Sequence, residues 1–392
     1  EGFFKGSVKV DSTFSEGRYF LKAKTNWMRN FDDGNSFLKE ISVVRSDFID
    51  AEQPENLENL NFQFLPEGGK LVSTIKNIVG VKVLNGMGIP IKLDDIKIVD
   101  EFGKQVALMG TNRMGLGKFE ITPDSNTDYF AEVRTPSGNE PRFKMPKAYP
   151  KGINLNVVDN PYKKEVLVQV EANDLTLQGG DIRTNLVLHK EGEIISKPIW
   201  LNKNSKVFTT YFDKTKLLTG LNTLTLFDSE NNPIEERQFF VWKDIARKRL
   251  ESKIGWASQS NDSLEITITS RAPKAIGISV SVFPLNTKVY NGNISIYEQI
   301  YLRPYIKGVI QNGGYYFKNT NNQKKYELDL LLLTKGRSKY NWEEIGKSKF
   351  ETKYGPVDGL NLYGFLNEDL KRESILVHKS IEHEPSEIKI KS

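Results

Sequence analysis

Three histidines, His189, His378 and His383, are the whole supply of imidazole in 392 residues, and cysteine is absent. Without a thiol there are no disulfides, thiolate nucleophiles or Cys-ligated metals. His189 closes the alternating run Asn185–His189, so a partly exposed strand residue is expected there. His378 and His383 have Glu382 and Glu384 nearby, but this spacing matches no compact metal-ligand motif. No G-x-S-x-G elbow, P-loop, H-E-x-x-H or dinucleotide fingerprint occurs. Gly115-Leu116-Gly117 resembles the start of a phosphate loop, yet Lys118–Thr122 after it reads as a strand. No helix N-terminus would then face an anion, and the glycines mark a turn. Adjacent carboxylates at Asp32-Asp33, Asp94-Asp95 and Glu343-Glu344 would point to opposite faces of a strand, so they form no acid–base pair. The oxygen-rich stretch Asp228–Asn232 lacks the alternate-ligand spacing of a calcium loop and reads as a hairpin turn. The sequence therefore predicts no catalytic residue, metal or cofactor, and a protein that is not an enzyme.

Aromatic residues are the remaining candidates. Tyr297, Tyr301, Tyr305, Tyr315 and Tyr316 cluster with Phe317 and Tyr290 around a segment of helical spacing. Exposed, they would form a platform for a peptide or glycan. The other reading is that they pack the helices onto a sheet, with strand Leu, Ile and Val completing the core. That reading is favoured.

The elements that would position these residues are mostly strands. Apolar residues alternate with polar ones at Tyr19–Ala23, Val79–Leu84, Ile96–Val99, Phe119–Thr122, Tyr129–Val133 and Val166–Val170. The pattern recurs at Asn185–His189, Val207–Phe212, Leu221–Phe227, Gln238–Trp242, Leu264–Thr269 and Ile276–Phe283. Turn-forming Asn85-Gly86, Asp33-Gly34 and Asn231-Asn232-Pro233 lie between runs. Many short strands with such punctuation predict an all-β chain of tandem antiparallel sandwiches. One region departs from this. Ser295–Val309 and Tyr326–Lys335 have helical spacing; Leu328, Leu331 and Leu332 share a face, and Leu330 and Leu333 fill others. Such a helix must be buried, with Gly336 as its C-terminal cap. It is expected to be a small insertion, near residues 295–345, on the fourth sandwich.

Polar or proline-rich stretches at 50–59, 136–150 and 243–260 divide the chain. The expected modules are 1–49, the closing part of a sandwich; 58–136 and 150–243, two whole sandwiches; 252–350, a sandwich with the helical insertion; and 355–392, the start of another. Residues 1–46 supply only three or four strands, fewer than the roughly seven of a sandwich. Gly359–Gly364 looks like a first strand, so further sequence or a partner chain is expected to complete both ends. A formal charge of +5 spread over the chain gives little support to nucleic-acid binding. No window approaches the 18–20 apolar residues of a spanning helix.

Four segments in order carry a resemblance. They are EGRYFLKAKTNWMRNF (Glu16–Phe31), FQFLPEGGKLV (Phe62–Val72) with GMGIPIKLDDIKIVDEFGKQV and MGLGKFEITPDSNTDYFAEV behind it, TLFDSENNPIEERQFFVW (Thr225–Trp242), and LRPYIKGVIQNGGYYF with LDLLLLTKGRSKYNW. Together they resemble the macroglobulin-domain proteins of Bacteroidota, relatives of the alpha-2-macroglobulin superfamily. Arg337 and Ser338 stand where that family usually has Trp and Arg. In the family pattern P-E-G-G opens the first strand of a domain. Trp27 and Trp242 are expected to seal sandwich cores. The resemblance implies an exported protein of the outer membrane or cell surface, often joined to a module like the plug of TonB-dependent transporters. It implies a non-enzymatic structural or interaction role, docking to a β-barrel transport, secretion or assembly complex. The thioester of the protease-trapping branch needs a cysteine and is ruled out. The alternative is a binding module for peptide, glycan or a protease target without thioester chemistry.

Overall fold

The computed structural model describes residues 17–31, 36–43, 59–86, 88–134, 140–243, 295–308 and 312–336, with shorter stretches at 13–15, 250–256, 264–270, 352–356, 374–377 and 386–389 and a few single positions. His378, His383, Tyr290, Ile276–Phe283 and Gly359–Gly364 lie outside the described residues. Gly17–Ala23 (β1) and Phe37–Val43 (β2) form an antiparallel pair. Seven strands follow: Asn61–Pro66 (β3), Asn77–Leu84 (β4), Ile96–Asp100 (β5), Gln105–Met109 (β6), Leu116–Ile121 (β7), Tyr129–Val133 (β8) and Arg142–Lys144 (β9). They make a sheet of order β3-β4-β7 and another of order β6-β5-β8-β9, all antiparallel. Alternation explains why they stack. Val79, Val81 and Val83 of β4, with Ile96 and Ile98 of β5, are wholly buried and belong to one cluster drawn from both sheets. Each such side chain contributes about 1.5–3 kcal/mol by leaving water. The pairing of β9 with β8, and the burial of Met145 and Ala148, carry this unit into the proline-rich stretch at 136–150.

The second sandwich repeats the plan. Its strands are Ile153–Val158 (β10), Glu165–Ala172 (β11), Ile182–Lys190 (β12), Glu193–Leu201 (β13), Val207–Asp213 (β14), Gly220–Phe227 (β15) and Pro233–Val241 (β16), with a short helix Asp174–Leu177 (α1). The sheets run β10-β11-β14 and β13-β12-β15-β16 around a core of Leu155, Val166, Val168, Val170, Leu186, Leu224, Leu226, Phe239 and other apolar residues. Leu250–Trp256 (β17) and Leu264–Ser270 (β18) then pair antiparallel over their whole length. The stretch at 243–260 was expected to be a linker. Its charges hide an alternation of Leu250, Ser252, Ile254 and Trp256. Ser374–Val377 (β19) and Ser386–Lys389 (β20) form the last pair. The fold is all-β, as predicted.

The helical segment holds Ile296–Tyr301 (α2), a 3-10 turn at Gly313–Phe317 and Asn322–Leu333 (α3). Asn321 caps α3 by accepting from the Lys324 amide at 2.9 Å, which starts the helix four residues before the apolar pattern does. Glu327 through Leu333 are all buried, and Gly336 has the positive φ expected just past the helix end. Much of the expected fourth sandwich lies outside the described residues; the described contacts of this segment run to the two sandwiches before it. Leu116, Leu221 and Phe240 lie on the faces of β7, β15 and β16 opposite to the sandwich cores, and they join Leu302, Ile306, Tyr316, Phe317 and the α3 leucines in a third apolar cluster. Gly80 permits the approach: a Cβ there would sit 2.9 Å from Leu333 Cγ.

Candidate functional site

Beside this third cluster lies a set of buried charges. The edge strand β16 begins Pro233-Ile234-Glu235-Glu236-Arg237, and Glu235, Glu236 and Arg237 are 1%, 6% and 3% exposed. Arg237 Nε donates to Glu67 Oε1 at 2.7 Å, and Nη2 donates to Asp329 Oδ1 at 2.6 Å. Its third nitrogen, Nη1, donates to the Gln238 carbonyl. Lys118 on β7 stands 3.6 Å from the other oxygen of Asp329. One guanidinium thus joins the first sandwich, the second sandwich and α3, using the planar donor array that suits Arg to paired carboxylates.

Local backbone brings Glu67 to this place. β3 ends at Pro66, and the Glu67 amide donates to Ile78 O at 2.8 Å. Gly68 follows with φ +76° and bridges to Glu236; a Cβ on it would fall 2.1 Å from Glu235 Oε2. Only glycine lets the chain turn here against β16. The P-E-G-G motif therefore closes a strand rather than opening one. Glu235 itself accepts from the Leu155 amide of β10 at 2.8 Å.

The other side of β16 is anchored as well. Glu236 accepts from the Ser338 amide, from Trp342 Nε1 at 3.2 Å and from Thr225 Oγ1 at 3.3 Å. His189 Nε2 meets Thr225 Oγ1 at 3.1 Å, and the imidazole packs edge-on to Tyr340 and Trp342 with ring centroids 5.0 and 5.1 Å away. His189 is thus buried, not partly exposed as its alternating run suggested, because the Tyr340 and Trp342 rings cover it. Burial holds its pKa below the ordinary histidine value, against the pull of Glu236, and it rests neutral.

Burial also pushes Glu67 up to about 6, against the opposing charge and hydrogen bond of Arg237. Burial acts against the charge of Arg237 too, but Asp329 and Glu67 override it and keep the guanidinium ionised. These groups are matched to one another and closed to solvent. Glu67 is 2% exposed and Asp329 6%, so no substrate reaches either carboxylate. Chemically the arrangement can hold three pieces of chain in register. Among the described residues, no cluster of histidine, aspartate and glutamate could hold a metal.

The five predicted tyrosines come together, as packing. Tyr316 is wholly buried with its hydroxyl on Met114 Sδ at 3.0 Å, so it is a core residue and not part of a surface. Tyr297 stacks on Phe317 at 5.8 Å, and Tyr301 lies edge-on to Phe240 at 6.1 Å. Tyr315 donates to Glu327 at 2.6 Å, and burial followed by this bond pushes its hydroxyl up to about 12. Tyr305 donates to Glu191, and Lys190 lies over its ring at 4.5 Å. These four are half-buried. Trp242 joins the third cluster against Phe240 and Phe317, whereas Trp27 is 39% exposed and seals no core. Asn30 of the same W-M-R-N run instead accepts from the Lys353 and Tyr354 amides at 2.9 and 2.8 Å. Gly115, with φ +68°, is the predicted turn, and Asp228 accepts from the Glu230 and Asn232 amides to close the predicted hairpin. Sequence reasoning missed the roles of Glu67, Glu235, Glu236, Arg237 and Asp329. The signal available was that all five lie inside the motif segments.

No family model matches the chain, and no curated protein does. Solved structures similar to it include the native conformation of E. coli alpha-2-macroglobulin, at 11% identity and TM-score 0.19 over 67% of this chain and 21% of that one. A tetra-tandem repeat from the extending region of a large adhesion protein is similar at 12% and 0.21, over 66% and 71%. The Yersinia pseudotuberculosis adhesin InvE is similar at 10% and 0.19, over 50% and 67%. This chain thus spans about a fifth of the length of the E. coli macroglobulin. At these TM-scores the likenesses carry no argument about fold or function; the all-β architecture rests on the sheets themselves. No helix among the described residues is long and apolar enough to cross a membrane.

Proposed function

We propose that the chain is a non-enzymatic structural or interaction protein, exported to the outer membrane or cell surface, whose sandwiches are held at one fixed setting to present a defined shape to a partner. The observation that carries this reading is the Glu67–Arg237–Asp329 node, which uses its charges to bind segments of chain to one another and leaves none for a substrate. The motif resemblance supports the finer form: a macroglobulin-like protein of Bacteroidota, accompanied by a TonB plug-like module, that docks to a β-barrel transport, secretion or assembly complex. A second reading, a module that binds peptide, glycan or a protease target, draws on the half-exposed Tyr297, Tyr301, Tyr305 and Tyr315.

Affinity capture from detergent-solubilised outer membranes of a Bacteroidota bacterium separates the two. Docking predicts that a β-barrel protein co-purifies with the wild-type chain and is lost with Arg237→Ala. A clean monomer that binds a glycan or peptide array through those tyrosines would favour the second reading. A monomer that binds neither would defeat both.

A further inference from the structure

A cleft of about 180 Å³ opens where the β10–β11 loop, the turn after β14, the end of β16 and α3 meet. Five lysines line it, Lys163, Lys164, Lys214, Lys243 and Lys325, together with Trp242 and a single acid, Asp159. In a chain whose charges are otherwise interspersed, this is a local concentration of one sign.

Two of the lysines build the frame. Lys214 Nζ pairs with Asp159 at 2.5 Å and donates to Asn160 O at 2.9 Å and Lys163 O at 3.0 Å, which fixes the loop carrying Lys163 and Lys164. Backbone bonds from the Lys163 amide to Asn160 O and from the Lys214 amide to Lys164 O tighten it further. Lys243 donates to the Thr215 carbonyl at 3.0 Å. The single acid is thus already matched. Lys164 also feels the charge of the Asp213 carboxylate beside the cleft, and Lys325 Nζ stands 6.0 Å from the centre of the Trp242 ring. Three lysines lining one cleft beside an indole concentrate positive charge suited to a compact multivalent anion. A phosphate monoester carries about −1.5 to −2 near neutral pH, and its small size suits lysine point charges better than a planar carboxylate does.

We propose that this cleft binds a phosphate monoester, with Lys163, Lys164 and Lys325 neutralising the phosphate and Trp242 contacting the organic group that bears it. This goes beyond the architectural reading and does not depend on it.

Calorimetric titration of the full chain with glucose 6-phosphate, inorganic phosphate and glucuronate, and co-sedimentation with phosphatidylcholine vesicles with and without phosphatidic acid, test it. Saturable binding should weaken as salt is added. It should fall about tenfold or more in Lys163→Gln/Lys164→Gln/Lys325→Gln, which removes charge-assisted contacts. The equally charge-reducing variant Lys97→Gln/Lys104→Gln/Lys203→Gln, at exposed sites elsewhere, should bind normally. Trp242→Phe should weaken the ester while leaving inorganic phosphate unchanged. Binding of the soluble ester alone assigns a free metabolite as the source, and binding of phosphatidic acid vesicles alone assigns a lipid headgroup. No saturable binding to either, equal losses in the two triple variants, or tighter binding of glucuronate than of the ester would overturn the proposal. If the triple variant does not fold, Lys325→Gln on the α3 surface provides the same comparison.

Discussion

The two halves of β16 are buried to the same degree and are built from opposite chemistry. Phe239 and Val241 are 0% and 1% exposed, and Glu235 and Arg237 are 1% and 3% exposed on the same period-two face. The apolar half gains by leaving water, whatever apolar neighbour it meets. The charged half loses solvation and recovers it only where Glu67 and Asp329 arrive in one geometry. Depth of burial is therefore no guide to what a residue specifies. The phenylalanine makes the sandwich cohere, and the arginine decides how sandwiches and helix are set against one another.

The largest effects should come from deleting one partner on either half. Arg237→Ala strands two buried carboxylates and should cost about 3–5 kcal/mol in urea unfolding; Phe239→Ala should cost a similar amount through the cavity it leaves. The halves part company under apolar replacement. Arg237→Met with Glu67→Leu and Asp329→Leu should recover most of the loss, because no charge is left stranded. The same protein should show a broader distribution of shapes in small-angle scattering. If Arg237→Ala unfolded within about 1 kcal/mol of wild type, the node would be solvated and the contrast would fail.

Next in size is Gly68→Ala. It forces an L residue to φ +76° and drives a Cβ into Glu235, so about 1–3 kcal/mol should be lost through strain, with more from the clash. A variant with an unchanged unfolding midpoint would show that Glu235 yields freely.

A pH profile sharpens the comparison, since only the charged half titrates. Glu67 has an ordinary value of 4.5 and is raised to about 6 in the folded protein. Between these values the folded state keeps a proton that the unfolded chain releases. Its contribution is therefore full below about pH 4.5 and is lost as pH rises through about 6. Glu67→Gln should flatten that part of the profile. An equally steep fall in the variant would assign it to another group. The smallest effect expected is that of Asn321→Ala, about 1 kcal/mol from the lost α3 cap.

Much of the sandwich architecture was legible because burial on one face imposes alternation. Val79, Val81 and Val83, or Val166, Val168 and Val170, could hardly be read otherwise. β10 was not read, because Asn154 and Asn156 look solvated. Both are buried, and Asn154 Nδ2 donates to the Lys76 carbonyl at 2.7 Å. The α3 leucines showed that something must cover them, without showing what. The charged node was the least legible part. Arg237 lies 170 residues from Glu67 and 92 from Asp329, and no local period connects them. The motif segments contain these residues, but nothing within one strand or turn says that an acid after a proline or an arginine on an edge strand will meet a partner far along the chain.

Those separations have a consequence for synthesis. Among the described residues, the cores of the sandwiches at 61–144 and 153–241 contain none from 295 onward, so each can close as it leaves the ribosome. Asp329 and the leucines of α3 emerge after both sandwiches and act as a keystone. Until they dock, Leu116, Leu221 and Phe240 face water and Arg237 lacks Asp329. Nascent chains stalled at residue 294 should therefore be cut by protease between residues 144 and 153, and chains stalled well past residue 336 should resist. Equal cleavage at both lengths would mean that the two sandwiches set their own angle without waiting for the helix.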